Sequence, residues 1–116
     1  MDGNLNRELV IIGGGPAGLM AAESALANGA SNVSVYERMG SVARKFLIAG
    51  KGGLNLTHSE PMPQFIQRYL PQTRSIGHWL REFGPDAVRA WAAGLGVETF
   101  VGSSGRVFPH DLKAAP

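Results

Sequence analysis

Four glycines fall within the six residues from Gly13 to Gly18, inside the stretch VIIGGGPAGLMAAESALANG that runs from Val10 to Gly29. Glycine within a regular element costs about 0.5–1 kcal/mol relative to alanine. Such a density is sustainable only where bare backbone serves a purpose. The spacing is G-x-G-x-x-G, carried by Gly13, Gly15 and Gly18. In that pattern the first glycine permits a tight turn out of a strand. The second lets backbone approach a pyrophosphate, and the third lets a helix pack closely on the strand.

The flanking residues supply the context this pattern needs. ELVII, Glu8 to Ile12, is a short aliphatic run bounded by glycine, and it predicts a parallel strand buried on both faces. Pro16 stands at the first helical position, where its fixed φ is suited and its missing N–H costs nothing. AGLMAAESALAN continues as a helix, and Gly29 follows as a C′ residue able to adopt positive φ. NVSVYE predicts a second strand with Val33, Val35 and Glu37 on one face. Residues 7–37 therefore read as a βαβ dinucleotide motif. The helix N-terminus offers free N–H groups and about half a positive charge to phosphates. Glu37 follows Gly18 by 37 − 18 = 19 residues, at the end of the second strand. A carboxylate there accepts ribose hydroxyls and repels a 2′-phosphate, which points to FAD or NAD and away from NADP.

Residues 38–60 show no periodicity. Long glycine-rich connections in compact domains are functional or disordered. From Arg38 to Ser59 there are four basic residues (Arg38, Arg44, Lys45, Lys51) and no acid, a local anion-binding pattern whose competing reading is a solvated loop. The Gly50-Lys51 pair does not make a Walker A loop. Gly52 follows the lysine where Ser or Thr is needed, and Lys45 holds the place of the earlier glycine. Residues 61–96 predict helices: one at PQFIQRYL, an amphipathic one at TRSIGHWLREF with Ile76, Trp79, Leu80 and Phe83 on its stripe, and one restarting at Gly84-Pro85 with Val88, Trp91 and Leu95 at core spacing. Trp79 and Trp91 are expected to be packing residues. Over residues 97–109, VETFV and RVF flank GSSG as a β-hairpin. The fold class is α/β: a partial Rossmann-type fold, βαβ with parallel strands, followed by helices and a β-hairpin.

Composition narrows the function classes. With 116 residues, 44% hydrophobic and 17% charged, the chain has the make-up of one small globular domain. The longest apolar run near the start, Leu9 to Ile12, is too short for a membrane span or a signal peptide. The absence of cysteine excludes a disulfide framework, a Cys-ligated zinc and a thiol nucleophile, and it fits a cytoplasmic location. A net charge of +2 does not suggest nucleic-acid binding.

Taken together, VIIGGGPAGLMAAE, VSVYER, RKFLIAGKGGLNLTH, GVETFVGSSGRVFP and KAAP resemble one bacterial group, the BaiN/YhiN-like NAD(P)/FAD-dependent oxidoreductases. The resemblance covers about Leu9 to Pro116, and its RKFLIAGKGGLNLTH and GSSGRVFP blocks are the narrowest. It implies a Rossmann-type FAD-binding fold, FAD as cofactor and NAD(P)H as electron donor in the complete enzyme. By the same resemblance Gly13, Gly15, Pro16, Ala17 and Gly18 hold the pyrophosphate, and Glu37 with Arg38 meets the adenosine ribose. Arg44 and Lys45 lie near the cofactor phosphates. Gly52, Gly53, Leu54, Asn55 and Thr57 run beside the flavin. Two positions depart from the pattern. Ala43 stands where relatives often have glycine, and Leu54 stands where many have cysteine, so no thiol chemistry is expected.

No catalytic residue is identifiable. His58, next to the flavin loop, is the nearest candidate base, against the commoner structural role; His78 and His110 carry none. Family members are several times longer. The expectation is thus an N-terminal portion that by itself binds FAD weakly or not at all, turns over no substrate and self-associates through an open sheet edge. Two other readings stand beside it. An NAD-binding dehydrogenase fragment explains residues 1–37 equally well but not the RKF…NLTH loop, and a truncated product would catalyse nothing.

Overall fold

The computed structural model describes residues 7–50 and 53–112. The chain divides into two compact units, residues 1–49 and 50–116. The first contains β1 (Leu9–Ile12), α1 (Pro16–Ala27), β2 (Val33–Tyr36) and the short α2 (Arg44–Leu47). The second contains β3 (Thr57–His58), α3 (Met62–Gln67), α4 (Thr73–Glu82), α5 (Pro85–Gly94), β4 (Thr99–Val101) and β5 (Arg106–Pro109).

In the first unit β1 and β2 pair in parallel, Leu9 opposite Val33 and Ile12 opposite Tyr36. Parallel neighbours need a crossover, and α1 supplies it. Pro16 opens α1 as its first residue. The helix closes in a Schellman arrangement: Gly29 N–H bonds Leu26 O at 3.2 Å and Ala30 N–H bonds Ala25 O at 3.0 Å, with Gly29 at φ +100°. The expected βαβ motif is present. The expected burial of β1 on both faces is not: Leu9 and Val10 are exposed, and Ile12 is 81% exposed. In this chain the pair is a two-stranded sheet, which cannot bury an aliphatic strand on both flanks and both faces. The stretch 38–60, expected to be a loop, also carries α2 and β3. Neither has a period to read, because one is a single turn and the other two residues long.

In the second unit the sheet order is β3-β5-β4, all antiparallel. The expected hairpin is there, with Val101 opposite Val107 across Gly102–Gly105. Central β5 carries Val107, which has no solvent exposure, and Leu54, Pro85, Ala92 and Pro109 are also buried. Phe100 and Phe108 stack across β4 and β5 at 5.7 Å. Arg89 on α5 donates from Nε to Thr99 Oγ1 at 2.9 Å and so ties α5 to β4. The stripe on α4 is rotated from its expected centre. Thr73, Ile76, Gly77 and Leu80 form its covered arc, with Gly77 buried and facing Ile66 of α3. Trp79 lies at the rim of that arc and is 63% exposed, so it is not the packing residue expected; Leu95, at the end of α5, is exposed as well. Trp91 is half-buried.

Val107→Ala removes two methyl groups from the one fully covered large side chain among the described residues. It is expected to lower stability by about 1–3 kcal/mol, read as a smaller urea midpoint at unchanged slope.

Candidate functional site

The glycine turn joins β1 to α1. Gly13 leaves the strand at φ +102°, and its N–H bonds Tyr36 O at 2.8 Å, extending the parallel ladder by one step. At Gly18 a Cβ would fall far inside the van der Waals contact distance from Gly13 O and 3.3 Å from Ile11 Cγ2, so only glycine lets α1 approach β1 this closely. Gly15 is the N-cap in extended conformation, and no side chain caps the helix. The first-turn N–H groups of Ala17 and Gly18 therefore have no intrahelical acceptor. A Cβ on Gly15 would meet no protein atom within 4 Å. The bare backbone at Gly15 thus faces open space rather than packing.

Gly14 occupies a variable position of the fingerprint and was not among the expected site residues. It is buried. A Cβ there would lie 2.6 Å from Val42 Cγ1 and 3.3 Å from Glu37 Cβ. The triple glycine in the sequence was the available signal; the reason for the middle one is a contact with a residue 42 − 14 = 28 positions later.

Glu37 directly follows β2 and turns toward the glycine turn. Its Oε1 accepts the Gly14 N–H at 2.8 Å and its Oε2 accepts the Met39 N–H at 2.7 Å. These two bonds, Met39 first, hold its carboxyl below the usual carboxylate range, and nearby Arg38 adds to the effect. Beyond it, Ala43 N–H bonds Gly14 O at 2.7 Å. Ala43 adopts the left-handed conformation, φ 58° and ψ 23°, and caps α2. A β-carbon in that conformation costs about 1–2 kcal/mol, so glycine would be the less strained residue there.

α2 presents Arg44 and Lys45 beside the turn. Both are exposed and make no hydrogen bond or ion pair among the described residues. A cavity of about 280 Å³ gathers Gly14, Gly15, Pro16, Glu37, Arg38 and the Arg44–Lys45 pair. Met39, Ser41, Ala43 and Phe46 complete its wall, and none of these was expected from the sequence. Gly13, Ala17 and Gly18 do not line it; Gly13 lies in the turn, and Ala17 and Gly18 lie in the first turn of α1.

The remaining expected site residues belong to the second unit, except that Gly52 lies outside the described residues. Leu54 is buried and donates its N–H to Leu112 O at 2.9 Å. Gly53 donates to Gly50 O at 2.9 Å. Asn55 is exposed, and Thr57 pairs with Val107 in the sheet. His58 has both ring nitrogens engaged. Nδ1 accepts the Glu60 N–H at 3.0 Å, which leaves Nε2 as the protonated nitrogen, 3.1 Å from Ser104 O. That is the arrangement of a structural histidine. Glu60 is gripped by Arg68 through Nε and Nη2, which lowers its pKa.

A parallel βαβ unit with this glycine turn and an acid closing β2 defines the Rossmann class of dinucleotide-binding folds. Residues 7–116 match the family model of the HI0933-like protein Rossmann domain, and the chain belongs to that family. The match bears out the BaiN/YhiN-like resemblance read from the sequence. No curated protein matches the chain. Among the described residues no helix is long and apolar enough to cross a membrane.

Because the folded pKa of Glu37 is depressed, the unfolded chain binds more protons between the two values. Its contribution to stability is complete above the unfolded value of about 4.3 and is lost as pH falls through the lower, folded value. Glu37→Gln is expected to remove this part of the acid limb of a stability-against-pH curve while Glu60 keeps its own part. Ala43→Gly relieves the left-handed strain, offset in part by the freer unfolded chain. A net gain of about 0.5–1 kcal/mol is expected in urea unfolding.

Proposed function

We propose that the first unit binds the adenosine diphosphate half of FAD, as the dinucleotide-binding region of an oxidoreductase that takes electrons from NAD(P)H. The observation that carries this reading is the single cavity at which the glycine turn, the Glu37 carboxylate and the Arg44–Lys45 pair converge. The chemistry of that donor set fits the group. The uncapped first turn of α1 and the open face of Gly15 suit a pyrophosphate. Arg44 and Lys45 add positive charge on the same side, and Arg38 lines the wall next to Glu37. Each Glu37 oxygen has a lone pair beyond the backbone bond it accepts, which suits a ribose diol.

FAD is preferred over NAD because the Arg44–His58 block resembles the flavoprotein family beyond the shared turn. In this reading Gly52, Gly53, Asn55 and Thr57 run beside the flavin, and Leu54 anchors their loop in the core of the second unit. Bound FAD supplies the hydride and electron transfer; the residues named here bind and orient it. The paired ring nitrogens of His58 argue against it as a base. Location in the cytoplasm and self-association through the exposed β1–β2 sheet belong to the same proposal.

Titration of the chain with FAD and with NAD, followed by flavin fluorescence and calorimetry, tests it. FAD is expected to bind more tightly than NAD. Gly15→Val is expected to abolish binding by filling the open face of the turn. Arg44→Ala is expected to weaken FAD at least about tenfold at low salt, with the difference shrinking as salt screens it. Affinities within about twofold of the native chain in both variants, at all salt concentrations, would overturn the assignment.

A further inference from the structure

Glu37 does more in this structure than offer a carboxylate to a ligand. Three hydrogen bonds lock the segment 38–43 onto the glycine turn: Gly14 N–H to Oε1, Met39 N–H to Oε2, and Ala43 N–H to Gly14 O. Gly14 thus both donates and accepts, and Val42 closes on its α-carbon. Two of the three bonds end on one side chain. Gly14 is a buried residue, its bond to Glu37 is part-buried, and no other acceptor for its N–H is found among the described residues. Removing the carboxylate would leave it unsatisfied, which costs more than the bond contributes. The ends of the locked segment lead directly into the cavity wall, at Arg38 and at Arg44.

We infer that Glu37 is a positioning residue: its carboxylate, bridging the Gly14 and Met39 N–H groups, holds the glycine turn and the 38–43 segment in their binding arrangement in the ligand-free chain. The significance of that arrangement for FAD rests on the function proposed above, but the latch itself does not. A preformed turn removes the ordering cost that a nucleotide would otherwise meet on binding. It also makes the carboxylate specifically necessary. A glutamine has one acceptor oxygen for two N–H donors, and its NH₂ would face the second donor.

Amide hydrogen exchange on the whole ligand-free chain, read residue by residue by NMR, tests this. In Glu37→Gln one of the Gly14 and Met39 amides is expected to stay protected, while the other exchanges at least about tenfold faster. In Glu37→Ala both are expected to exchange faster. The Gly13 and Leu9 amides, which bond Tyr36 O and Asn32 O, serve as the folded reference and should not change. If Glu37→Ala does not fold, the one-of-two pattern in Glu37→Gln still decides the question. Gly14 and Met39 amides within about twofold of the native chain in the glutamine variant would overturn the inference. So would an equal loss at the reference amides, since that is general loosening and not a latch. Adding adenosine diphosphate to the native chain separates the two proposals. Chemical shifts unchanged by the nucleotide, with the amides opened by mutation, support the latch and count against nucleotide binding alone.

Discussion

The close approach of α1 to β1 at Gly18 is the constraint on which the first unit depends. The helix can cross over the strand only because no β-carbon separates it from the Gly13 carbonyl. That crossing brings β2 into parallel register with β1. It also aims the uncapped end of α1 at the space beyond both strands, where Glu37 arrives from β2. Helix, sheet register and cavity are therefore consequences of one contact distance. The outcome agrees with the general placement of ligand sites in open α/β sheets, beyond the carboxyl ends of the strands.

Around that crossing, polar backbone groups that secondary structure cannot satisfy are satisfied by the site. Gly14 N–H lies past the last ladder bond of β1 and before the first bond of α1, and Glu37 answers it. Its carbonyl is answered by Ala43 N–H. The strained conformation of Ala43 follows from the same geometry, because the chain must reverse there to start α2 with Arg44 and Lys45 beside the turn. Strain of this kind persists where the surroundings over-determine it. In the second unit the analogous organiser is apolar. Val107, on the central strand, is covered completely, and β3 and β4 pair on its two sides.

Much of the fold was legible because it is written in short-range chemistry. Pro16 at the start of α1, Gly29 past its end and the alternation of Val33 and Val35 each act within a few residues. The GSSG turn does the same for the β4–β5 hairpin. The two tryptophans show where such reading stops. Trp79 and Trp91 both sit at helical core spacing, yet Trp79 is exposed and Trp91 half-buried. A periodic stripe fixes which residues share a face, but a neighbouring helix decides which part of that face is covered. On α4 that part is centred on Gly77, which presents no side chain to any hydrophobicity pattern.

The amino-acid sequence by itself determined the βαβ unit, the glycine positions whose backbone must stay bare, and the acid that closes β2. Each of these follows from local conformational limits: a positive φ at Gly13, a forbidden β-carbon at Gly18, and a side-chain period of two along β2. Only the tertiary structure decided that Gly14 must also be bare and that Glu37 bridges two backbone donors. The same holds for the turn of helix inside 38–60, for the pairing of β3 with β5, and for the exposure of β1. The Gly14–Glu37 bond spans 23 residues and the Thr57–Val107 pair spans 107 − 57 = 50. No local propensity encodes a distance of that kind, and chain packing alone sets it.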